Sequence, residues 1–117
     1  VIVSFVCDPI GNILSGESLT DAARELLPLG VRALGVNCGP TPHLSMPLEE
    51  LRAACPPDFP LIAYGNIGYA DAKVGWVNTD AEAPEAYCRH AMHWPARIVG
   101  GCCGTTPAHI AELKAHL

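Results

Sequence analysis

Four short runs of apolar residues recur along the chain: Val1–Cys7, Arg32–Cys38, Leu61–Asn66 and Arg97–Gly101. Their starts lie 31, 29 and 36 residues apart. Each run is too short for an ordinary helix and is apolar at consecutive positions, without the alternation of a half-exposed strand. A strand of that kind belongs in a parallel sheet covered on both faces. A spacing near thirty residues leaves room for one helix between consecutive strands, the length of a βα crossover unit.

The intervening segments carry the helix signals such units need. Ser18 stands three residues before Asp21, like a capping box with Asp replacing Glu, and Leu19, Ala22, Ala23, Leu26 and Leu27 follow at helical spacing. Ser45 precedes Pro47 and the run Leu48–Ala54, and Pro84 opens the run Glu85–His93. Thr106 sits before Pro107, an N-cap followed by proline at the first helical position, and a helix is predicted from there to the end. The reading is α/β: four consecutive βα units with parallel strands and helices on one or both faces. Residues 1–117 form a single domain. The loops after the strands, Asp8–Glu17, Gly39–Met46 and Ile67–Ala83, are long and rich in Gly, Pro and polar residues. Function in α/β folds gathers at that end of the sheet. Ile67–Ala83, with Tyr69, Lys73 and Trp76, is either a loose connection or a lid.

Half of the residues are apolar and 16% are charged, which predicts a folded core. The net charge of −5 offers no basic surface to nucleic acid, and its acidic excess is scattered as on a solvated surface. The first run carries no basic leader and is far too short to cross a bilayer, so no membrane partner is expected. It reads as a strand that begins at a cut boundary, in a chain that is a piece of a longer protein.

Six cysteines are present: Cys7, Cys38, Cys55, Cys88, Cys102 and Cys103. The adjacency of Cys102 and Cys103 suits two ordinary disulfides poorly, and the apolar content makes staples unnecessary. A reducing, cytoplasmic setting with metal-binding thiolates is the better reading. Cys38 closes the second strand run, and Cys102 and Cys103 close the fourth, so all three thiols are placed at one end of the sheet. In a closed barrel, alternate strands feed the same interior layer. Gly100, Gly101 and Gly104 supply the sharp turn two adjacent ligands require. Three thiolates suit Zn²⁺, and the open fourth position is what a catalytic zinc keeps for a substrate thiol. A redox pair, or simple packing, remains the alternative on spacing alone. Cys55 and Cys88 read as small buried hydrophobes, and so does Cys7, although it ends a strand on the same side.

Gly35-Val-Asn-Cys38, then Asn66, then Gly100-Gly-Cys-Cys-Gly-Thr-Thr-Pro-Ala-His-Ile110 resemble the homocysteine S-methyltransferase family. Val3-Ser-Phe5 and Gly16-Glu-Ser-Leu19 extend the resemblance over nearly the whole chain. It implies a zinc-dependent (β/α)8 TIM barrel of which this chain holds the C-terminal half, strands five to eight. It implies Cys38, Cys102 and Cys103 as zinc ligands. The implied reaction is attack of a homocysteine thiolate, held on zinc, on the methyl group of a small donor, giving methionine. It places Asn66 at the end of the seventh strand, facing the site, as a substrate-binding residue; on residue type alone Asn66 is equally a strand-end turn residue. The amino-terminal half, which in the family grips the amino-acid part of homocysteine, has no counterpart here. Four strands alone leave two open sheet edges and an exposed inner face, so a missing barrel half or a second copy is the expected partner. A non-catalytic zinc- or thiol-binding half-barrel is the alternative function, and a thiol redox protein ranks last.

Trp94-Pro-Ala-Arg97 departs from the family, which commonly has glycine in the turn before the last strand; proline fits such a turn. His90 and His93 share a helix face at a spacing that could hold a metal, but that helix is expected outside the barrel and solvated. His109 is expected to pack or cap beside the cysteine motif. No nucleophile elbow or phosphate loop is recognisable.

Overall fold

The computed structural model describes residues 1–117 throughout. A four-stranded sheet is built from β1 (Ile2–Phe5), β2 (Ala33–Pro40), β3 (Leu61–Asn66) and a last strand, Ile98–Gly101. These strands neighbour one another in chain order and every pairing is parallel. Helices α1 (Leu19–Leu26), α2 (Ser45–Ala54), α3 (Pro84–Ala91) and α4 (Pro107–Ala115) follow the strands in turn. The four βα units read from the apolar runs are therefore present.

One core cluster joins the helices to the sheet. It contains Leu34, Val36, Leu61 and Ala63 from the central strands, with Leu19, Leu48, Leu51, Tyr87 and Leu113 from the four helices. Helices cover one face, one of the two arrangements expected; on the other, Ala33 and Ile62 in the middle of the sheet are buried but the edges are not. Ile2 and Ile98 belong by strand alternation to the other face, and they are 58% and 45% exposed. On that face Ile62 lies so close over Gly35 that a Cβ there would stand 2.9 Å from its own, which is why this position is glycine.

The helix starts follow the capping chemistry with one exception. Ser18 caps α1 and accepts from the Asp21 N–H at 3.0 Å. Thr106 caps α4, where His109 Nδ1 accepts from the Thr106 N–H at 3.1 Å. That bond fixes the tautomer: the Nε2–H of His109 points to the carbonyls of Ala81 and Glu82 at 3.2 and 3.1 Å. His109 thus both packs and caps. Ser45 is already inside α2, because that helix grows directly out of a 3₁₀ turn at Thr41–His43. α3 and α4 each stop two residues earlier than predicted, at Ala91 and Ala115.

The segment 67–83 is not a loose connection. It folds as an antiparallel hairpin of β4 (Gly68–Asp71) and β5 (Gly75–Asn78), followed by a 3₁₀ turn at Asp80–Glu82. The Asp71 carboxylate accepts from the N–H groups of Lys73 and Val74, and Gly75 takes a φ of +82°. That is a three-residue hairpin loop closed by a left-handed glycine. Thr79 ties the hairpin base to the Ile67 carbonyl through its N–H and its hydroxyl, at 2.8 and 2.7 Å. The strand Ile98–Gly101 is accordingly β6.

Tyr87 of α3 pins β3 to β6. Its side chain is fully buried, and its hydroxyl donates to the Gly100 carbonyl at 2.6 Å and accepts from the Gly65 N–H at 3.0 Å. Burial, above all, pushes its pKa up to about 12, so the hydroxyl keeps its proton. Tyr87→Phe removes the hydroxyl and leaves both backbone groups unpaired. A loss of about 1–3 kcal/mol is expected, read in urea unfolding as a lower midpoint at unchanged slope.

Candidate metal centre

The ligand-bearing turns sit at the carboxyl ends of β2 and β6, the two neighbours of β3. Strands two positions apart in a sheet are separated by about 9.6 Å, yet Cys38 Sγ lies 3.1 Å from Cys102 Sγ and 3.7 Å from Cys103 Sγ. Two local features close that gap. The β2–β3 register shifts between Asn37 and Gly39, leaving Cys38 as the extra residue of a bulge. Cys38 there adopts a φ of +62°, the one non-glycine residue in the left-handed region. Such a conformation costs a non-glycine residue roughly 1–2 kcal/mol and must be held by its surroundings.

On the other side, Cys102–Thr105 form a turn in which the Thr105 N–H and hydroxyl both donate to the Cys102 carbonyl, at 3.1 and 2.8 Å. Gly104 stands third in this turn with a φ of +80°, the conformation that favours glycine there. Gly100 and Gly101 do not supply the sharp turn that the sequence suggested. They lie in β6, where a Cβ on Gly100 would stand 3.0 Å from the Tyr64 ring and one on Gly101 would meet Thr105.

Asn66 ends β3 between the two turns and is 6% exposed. Its Nδ2 donates to the Cys38 carbonyl at 2.9 Å, and its Oδ1 accepts from the Cys103 N–H at 3.0 Å. The Ile67 N–H donates to the Cys103 carbonyl at 3.1 Å, and the Cys102 N–H donates to the Gly65 carbonyl at 2.9 Å. Beneath Asn66, the buried Thr41 hydroxyl donates to the Asn66 carbonyl at 2.7 Å. The side chain of Asn66 is thus a clip across the two ligand turns. Sequence reasoning found Asn66 but missed Thr41 and Tyr87, whose hydroxyls find their partners only after the chain folds back.

The three thiols fit a tetrahedral metal. Their sulfur atoms all lie within 4.8 Å of one another. Tetrahedral Zn–S bonds of roughly 2.3 Å place sulfurs about 3.8 Å apart. The Cys38–Cys103 separation already matches, and the Cys38–Cys102 contact needs to open by a small rotation. The Cys38 thiol is pushed up to about 12, first by its hydrogen bond with Cys102, then by burial and by Cys103. The Cys38 thiol therefore keeps its proton in the metal-free cluster, and a dication bound there has to displace it.

The other sequence candidates lie elsewhere. Cys7 is not in the cluster; burial, then Asp8 and Glu50, push its thiol up to about 11. It lines a separate cavity of about 340 Å³ with Asp8, His43, Met46 and Tyr69. Cys55 is buried against the core. His90 pairs with Asp80 at 3.0 Å and His93 donates to the Arg89 carbonyl at 2.7 Å, so these two do not converge on one ion.

A parallel sheet of βα units with three convergent thiols at its carboxyl end defines an α/β protein whose cysteine cluster could hold a metal ion. Comparison with known proteins narrows this: the pattern described as homocysteine S-methyltransferase matches residues 1–117, and the chain belongs to that family. It is 36% identical over 117 residues to the homocysteine S-methyltransferase of Escherichia coli, covering 96% of this chain and 37% of that protein. It is 37% identical over 90 residues to homocysteine S-methyltransferase YbgG of Bacillus subtilis, covering 73% of this chain and 27% of the relative. The structure matches part of the TIM barrel of the E. coli homocysteine methyltransferase MmuM in its metallated form, with a TM-score of 0.75 and 29% identity over 99% of this chain and 35% of that one. The chain thus spans about a third of the length of these relatives.

Two outcomes follow. Asn66→Ala frees both ligand turns and lowers Zn²⁺ affinity by roughly 10–100-fold, the usual cost of removing a group that orients metal ligands, measured by competition with a chromophoric chelator. Because thiol protons compete with the ion, the affinity of the parent chain falls as pH is lowered, with more than one proton released per Zn²⁺ bound; calorimetry in buffers of different ionisation enthalpy counts them.

Proposed function

We propose that this chain is the C-terminal half of a (β/α)8 barrel, strands five to eight, and that it carries the metal centre of a homocysteine S-methyltransferase. Zinc is held by Cys38, Cys102 and Cys103. The single observation that carries the reading is the convergence of these three thiols at the carboxyl end of a sheet that matches part of MmuM. Bound there, Zn²⁺ would lower the pKa of a substrate thiol and keep it in the nucleophilic thiolate form.

The chain's own residues do the rest. Three thiolates exceed the charge of a dication by one, so the centre stays electron-rich and leaves an added thiolate reactive. That favours alkyl transfer to sulfur over hydrolysis. In the reaction the homocysteine thiol loses its proton, a new S–CH₃ bond forms, and the bond from the methyl group to its donor breaks, giving methionine. The centre stays preorganised because Cys38 and Cys103 are held through their backbones, by the Asn66 amide and the end of β3. Both ends of that amide are engaged, so Asn66 serves substrate binding by fixing the rim on which homocysteine sits. A small methyl donor would be the second substrate.

The exposed Ile2 and Ile98 favour a partner over that face: the first four βα units of the barrel, or a second copy. By itself the chain is then a zinc-binding half-barrel, which is also the alternative reading of its role. A reducing cytoplasm suits its six free cysteines.

The test is methionine formation from homocysteine with S-methylmethionine or betaine, by the chain alone and with the missing half supplied. Zinc binding by the chain alone, turnover on complementation, and loss of both in Cys102→Ser are expected. A reduced preparation without zinc at the three-thiol centre, or turnover indifferent to Cys102→Ser, overturns the reading.

A further inference from the structure

A second group of metal-ligating side chains lies away from the three-thiol centre, between α3 and α4. Glu112 and His116 stand four residues apart at the end of α4 and project to one side. His116 Nδ1 is 3.6 Å from the Glu112 carboxylate and 3.0 Å from the Glu112 carbonyl. Cys88 faces them from α3. Its residue is 2% exposed, and its Sγ makes one long contact, 3.9 Å, with the Glu112 carbonyl. The Cys88 sulfur, a Glu112 carboxylate oxygen and a His116 ring nitrogen all lie within 4.8 Å of one another. The three residues line a cavity of about 330 Å³ with Glu85 and His93.

We propose that Cys88, Glu112 and His116 form a second site for a Zn²⁺-class dication, which staples the end of α4 to α3. One sulfur, one imidazole nitrogen and one carboxylate oxygen are a borderline-soft set that suits Zn²⁺ and disfavours Mg²⁺ or Ca²⁺. Tetrahedral zinc would hold such atoms roughly 3.3–3.6 Å apart; the three groups, within 4.8 Å of one another, would close on the ion by side-chain rotation, His116 giving up its bond to the Glu112 carbonyl or turning Nε2 to the cavity. His93 is placed to help: its Nδ1–H is spent on the Arg89 carbonyl, which leaves Nε2 with its lone pair free for the cavity. Burial first, then the Glu112 carboxylate, raise the Cys88 thiol, and a dication between the two groups reverses both effects. The gain is structural. α4 buries few side chains, His109 and Leu113 among them, and an ion bound only by the folded state stabilises that packing.

The proposal stands apart from the methyl-transfer reading. Co²⁺ titration of the reduced, full chain, followed by thiolate-to-cobalt and ligand-field absorption, is expected to saturate at two equivalents. His116→Ala alters a half-exposed side chain, threatens folding least, and is expected to titrate with one. Cys88→Ala is expected to do the same. Cys102→Ser is expected to lose the intense three-thiolate absorption and keep the weaker band of a single thiolate. Saturation at one equivalent that tracks Cys102, or a second equivalent that survives both Cys88→Ala and His116→Ala, overturns the proposal. One equivalent lost in His116→Ala but kept in Cys102→Ser supports it and sinks the three-thiol centre.

Discussion

The side-chain amide of Asn66 reaches the Cys38 carbonyl with one end and the Cys103 N–H with the other. That pair of hydrogen bonds joins the two cysteine turns across the end of β3. β2 and β6 never pair, and the strand between them ends at Asn66. Each cysteine turn also pairs with β3 through its backbone, but the Asn66 amide is what links the two turns to each other across that strand. A primary amide puts an acceptor and a donor on two separate atoms of one small neutral side chain. Its burial matters as much as its chemistry, because few waters can compete for either bond. The left-handed Cys38 is the conformation that this clip and the β2 bulge together maintain.

The same end of the molecule is supported from below by hydroxyls. Thr41 holds the Asn66 carbonyl, and Tyr87 holds β3 to β6 two residues short of the cysteine pair. Both side chains are fully buried and both hydroxyls are satisfied, so the floor of the centre is rigid before any metal arrives. The rigidity belongs to one face only. Helices supply the core behind the sheet, whereas apolar side chains at the edges of the other face meet solvent. A chain spanning about a third of its relatives' length thus brings three thiols together on a sheet with helices on one face.

Much of this was legible in the residues. The parallel βα rhythm and the caps at Ser18 and Thr106 follow from apolar runs and local capping chemistry, and the placing of Cys38, Cys102 and Cys103 at one end of the sheet follows from the strand runs they close. Those signals are local, so they survive without knowledge of the fold. The hairpin at 68–78 was missed although Asp71 and Gly75 mark its turn, because a four-residue strand beside an apolar run looks like loop composition. Ser45, which stands before Pro47 like a cap, is instead the first residue of α2, because the 3₁₀ turn upstream leads directly into the helix. The glycines beside the cysteines were assigned to turning when only Gly104 turns.

From the sequence alone came the donor types, their spacing and the class of fold, since these depend on side-chain chemistry and on periods of a few residues. Tertiary structure decided how the thiols meet. The bulge that rotates Cys38 across the end of β3, the engagement of both ends of the Asn66 amide, and the approach of Cys88 to Glu112 and His116 each join residues tens of positions apart. Such contacts have no local signature. They arise only when hydrophobic burial has brought the strands and helices into register and left each polar group to find a partner within reach.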